Sequence, residues 1–220
     1  MTNAHEPTFF VAGTQKAGTT FLCHQLAIHP EIFFSSPKEL LFFQKQDLAQ
    51  HDYAEYVEQH FSGCGDFIQR GEGSTVYFQS ERALSNMELL VRNDYKLIVS
   101  LRHPVEKALS FYMHNFVRGR LTGNEDIDQI VSQRQLCHIR QSQYADSFER
   151  WLTAIGSARL LVTTLEDLKS SPAETVSTVC DFLQVGPTST IQLQNRNRGV
   201  PYSLDGQSVV PQKTLKLADH

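Results

Sequence analysis

Apolar residues form three short runs, and each run is followed by a loop and a stretch with helical periodicity. The first run, TFFVAG, precedes a helical pattern from Gly18 to about His29. The second, YKLIVSLR, precedes the pattern PVEKALSFYMHNFVRG, in which Pro104 takes the first helical position. The third, RLLVTTLEDL, lies between the patterns YADSFERWLTAI and PAETVSTVCDFLQV. The runs predict buried strands, and the periodic stretches predict helices.

The region between the first two of these units holds further candidate elements. The stretch EIFFSSPKELLFF is followed by a predicted helix in DYAEYVEQHF, a strand in FIQRGEGS and a helical pattern in SERALSNMELLVRN. Strands that alternate with helices predict a parallel sheet covered on both faces. We therefore expect an α/β protein with a P-loop-like three-layer fold, in which a central parallel sheet is flanked by helices. Ligands of such sheets bind beyond the carboxyl ends of the strands.

The chain has 220 residues, which fits one domain over residues 1–220. From Gly186 onward the hydrophobic periodicity is lost, and Gly, Pro, Asn and Ser become frequent. Residues 186–220 are therefore predicted to form a loop-rich or lid-like tail.

Charge and cysteine content narrow the function classes. The chain has 20 basic and 24 acidic residues, a net charge of -4, which argues against a nucleic-acid partner. Its four cysteines are dispersed without a C-x-x-C pair, as expected for reduced core thiols. The first residues lack a basic region and a long apolar run, so we expect a soluble, cytoplasmic protein without a membrane partner.

The loop after the first strand, in FFVAGTQKAGTT, has the glycine spacing of a phosphate-binding P-loop. The lysine that follows the second glycine in P-loops is replaced by Thr19 and Thr20, and the only lysine, Lys16, lies inside the loop. Backbone N–H groups from Gln15 to Thr20 and the start of the next helix suit one dianionic group. The alternative is an ordinary glycine turn between a strand and a helix.

The stretch SLRHPVEKALSFYMHN is a second candidate anion site. Arg102 ends a strand, and Ser110 lies on the helix that Pro104 opens. A guanidinium and a hydroxyl can together hold a second phosphate. Taken singly, each residue also fits an ordinary surface position.

The two motifs in series, GTQKAGTT and R-x-P-V-E-K-A-x-S-x-Y, resemble those of sulfotransferases that use 3'-phosphoadenosine 5'-phosphosulfate (PAPS). In that family the first loop binds the 5'-phosphosulfate, and the arginine and serine bind the 3'-phosphate. The resemblance implies these cofactor-binding residues: Gln15, Lys16, Ala17, Gly18, Thr19, Thr20, Arg102 and Ser110. It also implies that Lys16 faces the bridging oxygen between phosphate and sulfate.

Further stretches resemble the carbohydrate-type branch of this family. SSPKELLFF is similar to its P-K-E-x-x-F-F motif, which implies that Glu39 is the catalytic base, and GEGSTVYF is similar to its E-K-S-x-x-Y-F motif. The resemblance covers residues 8 to 186. Leu41 occupies a position where many relatives have histidine, and Gly73 one where lysine is common. Relatives also have a longer C-terminal portion with a loop that closes over the nucleotide, to which only NRNRGVPYS is similar.

The resemblance implies transfer of a sulfuryl group from PAPS to a hydroxyl or amine of a carbohydrate or small-molecule acceptor, with release of adenosine 3',5'-bisphosphate (PAP). Glu39 would accept the acceptor's proton, and Lys16 would stabilise the leaving group. No metal is expected, because a sulfuryl group carries less negative charge than a phosphoryl group. The sequence does not indicate an oligomeric state.

Two alternatives remain open from the sequence. A nucleotide kinase with an unusual phosphate loop would need a Walker lysine and a metal-binding aspartate after a second strand, and the sequence has neither. A non-catalytic nucleotide-binding relative would keep the anion loop but lack sulfate transfer.

Overall fold

The computed structural model describes residues 5–121 and 142–187. The strands are β1 Phe9–Gly13, β2 Ile32–Phe34, β3 Gln69–Gly73, β4 Lys96–Leu101 and β5 Leu160–Thr164. The helices are α1 Thr19–Ala27, α2 Gln50–Phe61, α3 Glu81–Leu90, α4 Pro104–Val117, α5 Ala145–Ile155, α6 Leu165–Ser170 and α7 Pro172–Leu183. Every strand and helix predicted from the described part of the sequence is present.

The five strands form one parallel sheet in the order β2-β3-β1-β4-β5. The central strand β1 is fully buried and pairs with β3 on one side and β4 on the other. All strands therefore end at the same edge of the sheet, where the loops that follow β1 and β3 lie next to each other. This arrangement confirms the predicted parallel sheet.

Alternate residues of β1 enter two different cores, as the period of two along a strand requires. Phe9 and Val11 belong to a buried cluster with residues of α1 and α7. Phe10 points to the opposite face, where its ring packs edge-on against Phe43 and Tyr95. Phe43 in turn packs against Tyr53 and Tyr56 of α2, so both faces of the sheet are covered, as predicted.

Two helices end earlier than their sequence patterns suggest. The helix predicted from Gly18 to about His29 stops at Ala27, and the His29 ring lies 2.9 Å from the carbonyl oxygen of Gly186. Helix α3 ends at Leu90. The next residue, Val91, continues the apolar pattern of the sequence but has an extended conformation. Since Val91 is buried as an extended residue, its hydrophobicity could not mark the end of the helix.

The chain divides into two compact units. Of the described residues, the first unit holds 5–101 and 145–187, which include the sheet, and the second holds 102–121 and 142–144, which include α4. Except for Gly186 and Pro187, the predicted tail lies outside the described residues. Of the four cysteines, Cys23, Cys64 and Cys180 are buried thiols, as expected, and Cys137 lies outside the described residues.

Among the helices in the described ranges, none has the length and hydropathy needed to cross a membrane.

Candidate active site

Hydrogen bonds attach the loop after β1 to the neighbouring strand β4. The N–H and the hydroxyl of Thr14 donate to the Ser100 carbonyl oxygen at 2.7 and 3.1 Å. The Ser100 hydroxyl donates to the carbonyl oxygen of Ala17 at 2.5 Å. All three residues are fully buried, so the loop is held at two points by groups shielded from solvent.

The loop contains two residues in the left-handed region. Lys16 has a φ of 64° and Gly18 a φ of 82°. Turns of this kind point successive N–H groups into a concave nest that binds anions. Helix α1 begins directly after Gly18, and the positive end of its dipole favours the same ligand. A non-glycine residue at positive φ is uncommon and frequently functional, which fits the role predicted for Lys16.

Packing as well as backbone conformation requires glycine at position 18. A Cβ atom there would lie 2.9 Å from Cδ1 of Leu165 and 3.0 Å from Cδ1 of Leu168. Both leucines belong to α6, so the start of α1 rests directly on that helix. The late stretch TLEDL thus supports the anion loop from behind.

Glu39 is held by the residues that follow β3. Its N–H donates to the Gly73 carbonyl oxygen at 2.9 Å, and its carboxylate accepts from the N–H and the hydroxyl of Thr75, both at 2.9 Å. The Lys38 ammonium lies 2.8 Å from the same carboxylate. The Glu39 side chain is 34% exposed. An oriented, accessible carboxylate has the geometry that a general base needs.

The base and the anion loop are adjacent. Val11 of β1 pairs with Gly73 of β3, so the two strands end side by side. A Cβ atom at Gly13 would lie 3.1 Å from the carbonyl oxygen of Thr75, the residue that binds Glu39. The carboxyl edge of the sheet therefore brings together a candidate base and a candidate phosphate cradle.

A second carboxylate, Glu72, is fully buried next to this edge. It accepts hydrogen bonds from the hydroxyls of Tyr56 at 2.5 Å, Tyr77 at 2.9 Å and Ser74. Burial raises the pKa of the Glu72 carboxyl above its ordinary value, and the three hydrogen bonds oppose part of that shift.

The candidate residues for the 3'-phosphate lie in the second unit. The Arg102 guanidinium pairs with the Glu106 carboxylate at 2.8 Å, and the Arg102 side chain is only 11% exposed. Ser110 is half-buried and lies one helical turn after Glu106, on the same face of α4. Between them on the chain, the buried Lys107 ammonium lies 4.9 Å from the centre of the Tyr144 ring. Burial lowers the pKa of Lys107 to about 7.

The predicted site residues are thus distributed over both units. The first unit holds the loop residues and Glu39, and the second holds Arg102 and Ser110. The partly exposed members of the loop are Gln15, Lys16, Gly18 and Thr20, and the buried ones are Ala17 and Thr19.

Sequence reasoning did not single out Thr75 or Glu72. The stretch GEGSTVYF contains both, but the Thr75–Glu39 contact joins residues 36 positions apart, and no spacing rule indicates it.

No three His, Cys, Asp or Glu side chains within the described residues lie close enough together to hold a metal ion.

The chain is similar in sequence to known sulfotransferases. Two curated relatives are the mouse bifunctional heparan sulfate N-deacetylase/N-sulfotransferase 4, 30% identical over 202 residues, and the human bifunctional heparan sulfate N-deacetylase/N-sulfotransferase 2, 28% identical over 200 residues. The matches cover 83% and 82% of this chain. They cover 23% and 22% of the relatives, so the chain spans under a quarter of their length.

Solved structures show the same fold. A sulfotransferase from Alicyclobacillus acidocaldarius has a TM-score of 0.71 at 24% identity, covering 86% of this chain and 87% of its own. A mouse sulfotransferase complexed with PAP has a TM-score of 0.55 at 14% identity, covering 84% of this chain and 61% of its own.

The sequence profile of the sulfotransferase domain matches residues 6–197, which is most of the chain. The motifs and the parallel sheet agree with this match, and the chain therefore belongs to the sulfotransferase family, the PAPS-dependent enzymes that its two anion-binding motifs predicted.

Proposed function

We propose that this protein transfers the sulfuryl group of PAPS to a carbohydrate acceptor, with Glu39 as the general base. The observation that carries the proposal is the position of the Glu39 carboxylate. Thr75 holds it by two hydrogen bonds, and the Thr75 carbonyl lies against Gly13, where the anion loop begins. A proton acceptor beside a phosphate cradle suits group transfer from a nucleotide to a nucleophile.

In the proposed reaction an acceptor oxygen or nitrogen forms a bond to sulfur, while the bond from sulfur to the bridging oxygen of PAPS breaks. Glu39 takes the proton of the acceptor, and the electron pair of the broken bond leaves with PAP. Lys16 and the N–H groups of the loop stabilise the negative charge that grows on the leaving oxygen. Arg102 and Ser110 hold the 3'-phosphate of the nucleotide.

For the acceptor we propose an amino sugar, because the curated relatives are named as heparan sulfate N-sulfotransferases. An ammonium group must first lose one proton, because only the neutral amine attacks sulfur. The nitrogen must then lose a second proton once the N–S bond has formed. The Glu39 carboxylate, which Thr75 orients and Lys38 contacts, is placed to accept that proton.

A matched pair of acceptors tests the proposal. The protein is incubated with radiolabelled PAPS and either N-deacetylated heparosan, which carries free amines, or N-acetylated heparosan, in which the amines are blocked. We expect label in the first polysaccharide and little in the second. Equal labelling of both would assign the acceptor as a hydroxyl and overturn N-sulfation.

The same assay separates the alternatives. If PAP binds but no label reaches either polysaccharide or a small phenol, the result would favour a nucleotide-binding protein without sulfotransferase activity. Stabilisation by ATP with Mg²⁺ and not by PAP would instead favour a kinase and overturn the proposed function.

A further inference from the structure

The segment that carries Glu39 has an unusual backbone. Glu39 has a φ of 66° and Leu41 a φ of 56°, so two of three consecutive residues are left-handed without being glycine. Such a conformation is disfavoured for a residue with a side chain and persists only where neighbouring groups hold it. The position of Glu39 therefore depends on contacts from outside its own segment.

These contacts come from the end of β3 and the residues that follow it, and in two of them a hydroxyl accepts a hydrogen bond from a backbone N–H. The N–H of Leu41 donates to the Ser74 hydroxyl at 3.0 Å, and the N–H of Phe43 donates to the Tyr77 hydroxyl at 3.4 Å. A hydroxyl that accepts through its oxygen still has one proton to donate. Both hydroxyls donate that proton to the same atom, Oε1 of Glu72.

Two parallel relays thus run from the backbone after Glu39 to one buried carboxylate. A buried carboxylate is costly unless it is fully hydrogen-bonded, and an apolar residue would fill the same space at lower cost. A role in packing alone does not explain an acidic group here. Its acceptor oxygen Oε1 instead gives Ser74 and Tyr77 a fixed donor direction, which leaves their oxygen lone pairs facing the two amides.

We propose that Glu72 is a positioning residue, which holds the Glu39 segment through Ser74 and Tyr77 and so keeps the catalytic carboxylate beside the anion loop. This inference rests on the proposed role of Glu39 as the base. Glu72 itself does not touch the reacting atoms and acts only through the two hydroxyls.

The chain offers a matched control. Tyr56 of α2 also donates its hydroxyl to Glu72, but to the other oxygen, Oε2. Its ring stacks on Phe42 with the centroids 4.3 Å apart, and a phenylalanine would retain that stacking. Tyr56→Phe therefore removes one hydrogen bond from Glu72 without removing either relay, whereas Ser74→Ala and Tyr77→Phe each remove one relay.

The experiment compares these three variants and Glu72→Gln by amide hydrogen exchange, PAP affinity and sulfate transfer to N-deacetylated heparosan. We expect faster exchange of the Leu41 amide in Ser74→Ala and of the Phe43 amide in Tyr77→Phe. We expect kcat to fall about tenfold in both, as for the loss of other outer partners of a catalytic group. The Kd for PAP stays within about twofold of the wild type, since neither relay touches the loop residues.

A double-mutant cycle provides the second readout. If Glu72 acts through Ser74, the loss of kcat in Glu72→Gln combined with Ser74→Ala is smaller than the product of the single losses. Wild-type exchange rates at both amides in Ser74→Ala and Tyr77→Phe would overturn the proposal. So would a loss of kcat in Tyr56→Phe as large as in those two variants, because Glu72 would then act only through general stability.

Failure of the two proposals can be told apart. Absence of PAP binding and of sulfate transfer in the wild type would refute the proposed function. The exchange measurements need no activity and would still decide whether Glu72 holds the segment.

Discussion

The orientation of the Glu39 side chain and its basicity can be tested separately. Thr75 donates two hydrogen bonds to the carboxylate, and Lys38 pairs with it. Glu39→Gln keeps the shape and an acceptor for Thr75 but removes the basic site. We expect kcat to fall by about 10²- to 10⁴-fold while the Kd for PAP changes little, because general-base catalysis contributes that much. Single-turnover transfer of label and calorimetry with PAP measure the two quantities.

Thr75→Val tests the same carboxylate by a milder change than Glu39→Gln. It removes the hydroxyl donor and leaves the N–H donor in place, so we expect a smaller loss of kcat than in Glu39→Gln. An unchanged kcat in Glu39→Gln would show that another group accepts the proton.

Lys16 is expected to act on the leaving group. Lys16→Ala should lower kcat by about a hundredfold, the effect of losing one preorganised donor at a site of developing charge. Lys169→Ala is the charge-matched control, because Lys169 is an exposed residue at the end of α6. Steady-state transfer assays of both variants check this prediction, and equal losses would indicate a nonspecific effect of net charge.

The sequence predicts site residues that follow a local rule and misses those defined by distant contacts. Lys16 and Glu39 belong to contiguous motifs, whereas Thr75 binds Glu39 from 36 positions away, and Glu72 is linked to Leu41 only through Ser74. Gly73 occupies a position where relatives commonly have lysine, and the structure shows why a small residue is needed there. A Cβ atom there would lie 2.8 Å from Sγ of Cys23 and 3.2 Å from the Phe34 ring, so these side chains fill the space of a larger residue.

Among elements, the junction of the loop with α1 can be tested by a pair of glycines. Gly18 and Gly119 have similar φ angles, 82° and 67°, but an added Cβ atom would meet neighbouring side chains at Gly18 and open space at Gly119. Gly119→Ala should cost about 1–2 kcal/mol of unfolding free energy from its backbone alone. Gly18→Ala should cost about 1–3 kcal/mol more, because α6 must move.

Urea denaturation of the two variants measures the difference. We also expect weaker PAP binding in Gly18→Ala only, since its loop is displaced. Equal free energies of unfolding in both variants would show that α6 yields to the added methyl group without cost.

Helix α4 contains a buried ammonium whose titration should affect stability. The pKa of Lys107 is lowered to about 7, whereas an unfolded lysine keeps its proton up to about pH 10.4. Between these values the unfolded state binds one more proton, so raising the pH stabilises the folded state. The unfolding free energy of the wild type should rise relative to Lys107→Met by up to about 1.4 kcal/mol per pH unit in this window.

Urea denaturation at pH 6, 7, 8 and 9 tests the slope, with Lys107→Met as the reference that lacks the group. Below about pH 6 the two proteins should run parallel, because Lys107 is then protonated in both states. Parallel curves from pH 7 to 9 would contradict the lowered pKa.

Elements were predictable wherever hydrophobic periodicity decided their type. Strands β1, β4 and β5 follow apolar runs, as expected where both faces of a parallel sheet are covered. Strand β3 has the polar sequence QRGEG and β2 spans three residues, so hydrophobic periodicity alone does not define either strand. The ends of elements were less predictable, as Val91 illustrates. Its side chain belongs to the core in either conformation, so the pattern of residues contains no signal for the change from helix to extended chain.

For the whole molecule, a net charge of -4 has to be reconciled with a ligand that carries several negative charges. We expect the loop to bind this ligand through backbone dipoles and Lys16 rather than through a broad basic surface. Such a site selects a ligand by the placement of its phosphates and depends little on long-range attraction. Its affinity should therefore discriminate between nucleotides of similar charge.

Thermal unfolding with different nucleotides tests this selectivity. PAP at about a hundred times its Kd should stabilise the fold by about 2.7 kcal/mol, which raises the Tm by roughly 5–10 °C for a chain of this size. Adenosine 5'-monophosphate, which lacks the 3'-phosphate, should raise the Tm less. Arg102→Ala should abolish the advantage of PAP over the monophosphate, and Lys16→Ala should retain it, because Arg102 is assigned to the 3'-phosphate and Lys16 to the 5' end of the nucleotide. An advantage of PAP that survives in Arg102→Ala would place that phosphate elsewhere.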